Sequence, residues 1–263
     1  MSRKALFFDV DGTLLSEITH TVPESAVRAL SETRKRGNLV FINSGRTYGF
    51  LGAIKELVES DGFLCGCGTC IVAGDTAIYR YRIPRERGLE IKKAIVSFGF
   101  EGVLESTEGI SLPKEPFRIP WAEEMRESLV KAGVVIPGGW EDDGYVFDKF
   151  CVMADEKSDR EGFFRWLQPD IQVIDRGGDF YECVPAGHSK ATAIEWVLNH
   201  YGIEKKDAYV FGDSSNDLPM FEYADNAVLM GKHDDVLEPY AAFVTKTVEE
   251  DGIEYAMKEL GLI

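Results

Sequence analysis

Ala5-Leu6-Phe7-Phe8-Asp9-Val10-Asp11-Gly12-Thr13 decides the fold, because an unbroken apolar run stops on two carboxylates that one residue separates. A stretch apolar at every position suits a strand covered on both faces, as in a parallel sheet sandwiched between helices. Ligands of open α/β sheets collect outside the carboxyl ends of the strands, so Asp9 and Asp11 stand where a ligand binds. Two acids beside a core are costly unless a cation or hydrogen bonds compensate them, and a divalent metal is the obvious candidate. Gly12 allows a sharp turn with positive φ, letting main-chain groups and side chains point at one small centre. The bland alternative is a strand-ending turn with a helix cap. An EF-hand calcium loop is excluded, since Thr13 and Leu14 occupy the places where it needs an acid or Asn and then Gly.

Working outward, residues 23–36 read as a helix. Val27 and Leu30 share a face, Pro23 suits the first turn and Gly37 the C-terminal cap. Residues 39–42 then form a second buried strand, and the right-handed crossover makes the two strands parallel with their carboxyl ends on one edge. Asn43-Ser44-Gly45-Arg46 therefore follows the second strand as Asp9 follows the first. At the start of a helix bearing Leu51, Ile54 and Leu57, Ser44 Oγ and nearby amides can meet a phosphate. A Ser before a helix is more often only a cap.

Further along, Pro185-Ala186-Gly187-His188-Ser189-Lys190 opens a helix with Ile194, Val197 and Leu198 on one face and Gly202 at its end. A cation at a helix N-terminus is unfavourable unless an anion lies beside it, which draws attention to Lys190. Residues 208–211 are another apolar strand, followed directly by Gly212-Asp213-Ser214-Ser215-Asn216-Asp217. This is the third strand to end in acidic or hydroxyl groups.

Between these segments the β-α alternation breaks. Residues 61–83 carry short strands with Gly turns, including Gly74-Asp75. Helices are expected at 89–98, 121–132 and 159–167, the last opened by a capping box of Ser158 and Glu161. Strands are expected at 102–105, 109–112, 147–153, 171–175 and 179–184. A block of this size is large enough for an inserted domain.

Composition narrows the partners. A net charge of −16, from 29 Lys and Arg against 45 Asp and Glu, argues against nucleic acid and anionic membrane. The sequence shows neither a long apolar run nor a cleavage signal after Met1-Ser2-Arg3-Lys4, so a soluble cytoplasmic protein is expected. Five cysteines favour reduced thiols. Cys67 and Cys70 form a C-x-x-C pair beside Cys65, but Cys151 and Cys183 stand alone, so buried small side chains fit better than a zinc site.

Asp9-Val10-Asp11-Gly12-Thr13, Ser44 after the second strand, Lys190 in Pro-x-Gly-x-Ser-Lys, and Gly212-Asp213-x-x-Asn216-Asp217 follow one another in the order of four motifs of the haloacid dehalogenase-like (HAD) phosphohydrolases. The chain resembles the Cof-type, subfamily IIB, sugar-phosphatase-like members over nearly its whole length. That resemblance implies a doubly wound Rossmann-like parallel sheet core, residues 1–83 plus 185–263, with an inserted α/β cap domain, residues 84–184, between the second and third motifs. It implies a phosphatase dependent on Mg2+ that acts on a small phosphorylated metabolite, with the cap choosing among sugar phosphates and similar esters. Asp9 would be the nucleophile carrying an aspartyl-phosphate, and Asp11 the general acid and base. The metal would lie on the Asp9 carboxylate, the Asp11 carbonyl and the Asp213 carboxylate. Ser44, Gly45, Lys190 and Asn216 would hold phosphoryl oxygens. Asp217 would orient Lys190 or a metal-bound water, and Arg46 would contact the substrate or the cap. Cys67 departs from the Asn-Gly-Ala that relatives often carry there. A phosphosugar mutase of the same superfamily and a non-catalytic phosphosugar-binding protein are the alternatives; the complete Asp9 and Asp11 pair argues against the second.

Overall fold

A computed structural model describes residues 2–74 and 76–263. In chain order its regular elements are β1 (Ala5–Phe8), α1 (Glu24–Lys35), β2 (Leu39–Asn43), α2 (Ile54–Leu57), β3 (Gly62–Cys65), β4 (Cys70–Ala73) and β5 (Thr76–Arg80). They continue with α3 (Arg85–Ser97), β6 (Glu101–Ser106), β7 (Gly109–Ser111), α4 (Pro120–Lys131), β8 (Lys149–Met153), α5 (Arg160–Leu167), β9 (Ile171–Asp175) and β10 (Phe180–Pro185). The last are α6 (Lys190–Tyr201), β11 (Ala208–Gly212), α7 (Leu218–Tyr223), β12 (Asn226–Leu229), β13 (Phe243–Val244) and α8 (Gly252–Glu259). Two compact units result, one of residues up to Gly45 with Ala53–Ile78 and Ser189–Ile263, the other of Arg46–Gly52 with Tyr79–His188.

The first unit is built on the sheet β13-β12-β11-β1-β2-β3-β4-β5. Pairing is parallel from β13 through β3, and β4 turns antiparallel against β3. At its centre β1 is buried at all four positions, as a strand between two helical layers must be. Phe8 stacks on Phe211 at 4.4 Å and Phe7 on Phe41 at 5.2 Å, so neighbouring strands interlock through their aromatic rings. Register aligns Phe8 with Ile42 on one side and Phe211 on the other, which brings the residues after all three strands to one edge.

The second unit holds an antiparallel sheet in the order β7-β6-β8-β10-β9. Alternation sorts its side chains by face. Leu104, Phe150, Val152, Tyr181 and Cys183 pack with Ile91, Ile95 and Phe163 of α3 and α5. On the other face Val103 and Met153 meet Ala122 and Leu129 of α4. That second face also carries buried charges: Lys149 Nζ lies 2.5 Å from Glu182 Oε1 and 3.0 Å from Glu105 Oε1, and Cys151 donates to Glu105 at 3.0 Å. Burial pushes the Cys151 thiol well up, so it stays protonated as that donor.

Three local expectations fail for identifiable reasons. No helix starts at Ser44; the chain makes a 3-10 turn at Tyr48–Phe50 and then the single turn α2, because Gly49 and the positive φ of Gly52 interrupt it. No capping box forms at Ser158, whose hydroxyl donates to Gly99 O and accepts from Asp155 N, and Asp159 instead caps α5 through Gly162 N. The helix expected from residue 89 starts at Arg85, directly after Pro84. In the expected Gly74-Asp75 turn, Asp75 lies outside the described residues.

The buried Glu105–Lys149–Glu182 group makes Lys149→Met costly, since removing the cation strands two carboxylates. Thermal and urea unfolding of the full chain should show a loss of about 3–5 kcal/mol. A loss under about 1 kcal/mol is what an exposed pair gives and would contradict this account.

Candidate active site

The carboxyl ends of β11, β1 and β2 supply the cluster. Asp9 extends β1, its amide still donating to Phe211 O at 3.0 Å. The chain then doubles back, with Leu14 N and Leu15 N both donating to Val10 O at 2.9 and 2.7 Å. Gly12 turns this corner at φ +81°, and a Cβ there would lie 2.2 Å from Asp213 Oδ2. Only hydrogen fits, because the Asp213 carboxylate already fills that space.

Lys190 is the first residue of α6, whose N-terminus is closed by a capping box between Ser189 and Thr192. Fully buried, its ammonium lies 2.7 Å from Asp9 Oδ1 and 2.5 Å from Asp217 Oδ1, and 3.3 Å from Asn216 Oδ1. Asn43, at the end of β2, donates to the Lys190 carbonyl at 3.1 Å and fixes the helix start. Burial alone would lower the Lys190 pKa, but Asp217 and Asp9 reverse this and hold the ammonium well above its usual range.

Asp217 is saturated. One oxygen takes Lys190, and the other accepts from Asp213 N at 2.9 Å and Ser214 N at 3.2 Å. Asp213 accepts from Thr13 Oγ1 at 2.6 Å. Ligand atoms of Asp9, Asp213 and Asp217 all lie within 4.8 Å of one another. Burial, then Asp217, pushes the Asp9 carboxyl up to about 7 against the pull of Lys190. Burial, then Asp9 and Asp217, pushes Asp213 to about 8. Three carboxylates and one ammonium leave a buried charge of −2 when ionised, and a dication would cancel it. A hard cation suits this all-oxygen donor set of Asp9, Asp213 and Asp217, the last of which also orders Lys190 and the loop.

Of the residues expected from sequence, Asp9, Lys190, Asp213, Asn216 and Asp217 are joined by direct contacts. Asp11 lies on the turn after β1, half-buried. Ser44 is buried after β2, but its amide donates to Leu64 O at 2.8 Å, so of the donors expected there this amide is already engaged. Gly45 follows it, half-buried. Arg46 belongs to the second unit, its guanidinium 5.0 Å from the Phe50 ring. Cys67 takes positive φ, a conformation that Asn adopts more readily, and donates its amide to Ser44 O. Thr13 and Asn43 were not expected; a hydroxyl within the Asp-rich turn and an amide ending an apolar strand are the signals that mark them. Among the described residues the cysteines give no group of metal ligands, and all five are buried.

The family model for haloacid dehalogenase-like hydrolases matches residues 6–257. The 5-amino-6-(5-phospho-D-ribitylamino)uracil phosphatase YwtE of Bacillus subtilis is 39% identical over 280 aligned positions, covering 98% of both chains. Among solved structures, the phosphatase BT1666 of Bacteroides thetaiotaomicron superposes with a TM-score of 0.84 at 28% identity, covering 99% of this chain and 96% of its own. The HAD subclass IIB sugar phosphatase BT4131 gives 0.82 at 26% identity, covering 99% and 100%. Among the described residues no helix is long and apolar enough to cross a membrane.

The raised carboxyls fix the pH behaviour of the cation-free protein. Asp9 and Asp213 hold their protons more tightly folded than unfolded, so their contribution to stability is full below about pH 4. It is lost as pH rises through about 7 and 8. A cation competes with those protons, so the rise in Tm on adding Mg2+ should be larger at pH 8.5 than at pH 5.5. Paired melts in chelator and in Mg2+ measure it, and an increment independent of pH contradicts the assignment.

Proposed function

We propose that this chain, which belongs to the haloacid dehalogenase-like hydrolases and is a phosphatase of small phosphomonoesters, hydrolyses a sugar or polyol phosphate with Mg2+ through an aspartyl-phosphate on Asp9. The observation that carries the chemistry is the buried ammonium of Lys190 between Asp9 and Asp217, beside Asp213. Supporting the substrate class are the phosphorylated ribityl chain named for YwtE and the sugar phosphatase activity named for BT4131.

Asp9 attacks phosphorus while the ester oxygen departs with a proton from Asp11. Asp11 then takes a proton from water, whose oxygen attacks the aspartyl-phosphate; inorganic phosphate leaves and the Asp9 carboxylate is restored. Lys190 holds Asp9 in place and, with Ser44, Gly45 and Asn216, offers donors to the phosphoryl oxygens. Asp217 fixes Lys190 in that posture. Asp9, Asp213 and the Asp11 carbonyl would hold Mg2+, which would supply neutralisation of the phosphoryl charge and favour the ionised form of Asp9. We assign leaving-group selection to the cap, residues 84–184, with Arg46 as a further contact.

Asp9→Asn should lower kcat by about 10^4-fold or more with the fold retained, and Asp11→Asn by about 10^2- to 10^4-fold. Chelation should abolish turnover. Inorganic phosphate release is followed across hexose, pentose and ribityl phosphates, nucleotides and a phosphopeptide. Wild-type rates in Asp9→Asn sink the mechanism, a preference for the phosphopeptide sinks the substrate class, and phosphate transfer without net release marks a mutase.

A further inference from the structure

The segment 212–217, which carries Asp213, Asn216 and Asp217, is fixed from two sides. From within, Asp217 accepts the amides of Asp213 and Ser214. From the opposite side comes Asp234, not among the sequence motifs. Its amide donates to Asp213 O at 2.8 Å, and its Oδ2 accepts from Ser215 N at 2.7 Å. The two bonds run in opposite senses and bracket Ser214; with Asp217 on the Asp213 amide, the backbone of Asp213 is held at both its N–H and its C=O.

The location of Asp234 adds weight. It precedes the 3-10 helix Asp235–Tyr240 in the N-cap place, where an aspartate ordinarily accepts from its own helix. It makes no such cap. Its carboxylate crosses to Ser215, the first residue of the 3-10 turn Ser215–Asp217 that runs into α7, so it satisfies an amide left over at another helical N-terminus. A negative charge is favoured there.

We propose that Asp234 is a positioning residue that sets Asp213 for a divalent cation. It touches none of the reacting groups and acts through the backbone, on the Asp213 carbonyl and on the Ser215 amide two residues further along. The inference rests on the function proposed above. Mg2+ demands close to ideal octahedral geometry, so a ligand whose backbone can pivot binds it less well. Losing a group that orients a ligand typically weakens metal affinity about 10- to 100-fold.

The test is Mg2+ titration calorimetry on the full chain, with Tm measured in chelator and in Mg2+. Asp234→Ala should raise the Kd for Mg2+ about 10- to 100-fold and shrink the Mg2+-induced rise in Tm. Asp234→Asn keeps an acceptor oxygen and should retain most of the affinity. Asp235→Ala removes an exposed charge one residue on and should bind as wild type does. Ser215→Pro attacks the clamp from its other end: proline is tolerated at a first helical position, and the extended Ser214 suits a following proline. It deletes the donor, leaves Asp234 intact and should match Asp234→Ala, which keeps the test decisive if the alanine variant does not fold. A merely structural role would lower Tm equally in chelator and in Mg2+. That result overturns the proposal, as does an Asp235→Ala as weak as Asp234→Ala, or an Asp234→Asn no better than alanine. A wild type that binds Mg2+ but releases no phosphate from any ester sinks the phosphatase reading and leaves the clamp standing; one that binds no Mg2+ sinks both.

Discussion

A single buried ammonium holds the first unit to its chemistry. Lys190 lies between Asp9 and Asp217, so the start of α6, the end of β1 and the turn after β11 cannot close without bringing these charges together. The attraction is strong because water is excluded, and for the same reason the imbalance it leaves is costly. One lysine cannot neutralise three aspartates. The folded cluster is therefore incomplete as a set of charges, and protons or a dication must complete it. With a dication in place, the site would be balanced before a phosphate dianion arrived.

This arrangement also explains why the motifs occupy only a few residues. The parallel sheet does the gathering: register alone puts the residues after Phe8, Ile42 and Phe211 side by side. Short loops are enough to place one or two side chains each. Gly12 shows how tight the result is, since the place of its missing side chain is held by a carboxylate of a residue two hundred positions away.

How much of this was legible depended on whether the signal was local. An apolar run ending on acids reads as a buried strand with a site at its end, and β1, β2 and β11 follow that reading. Helix starts were less legible, because a serine can serve its own helix or another segment. Ser158 turns to Gly99 instead of Glu161, and Gly49 and Gly52 outweigh the apolar spacing of Leu51, Ile54 and Leu57. The saturation of Asp217 and the reach of Asp234 to Ser215 depend on contacts that form only when the loops fold together, and no spacing rule encodes them.

The charged group on the antiparallel sheet has a different kind of consequence. Glu105, Lys149 and Glu182 sit on three adjacent strands, and neither buried carboxylate is tolerable once Lys149 is gone. For molecular evolution the positions are therefore ordered: losing Lys149 first passes through a destabilised ancestor, whereas joint replacement by apolar residues of similar volume does not. Lineages that have lost the lysine should have lost its carboxylates before it or together with it.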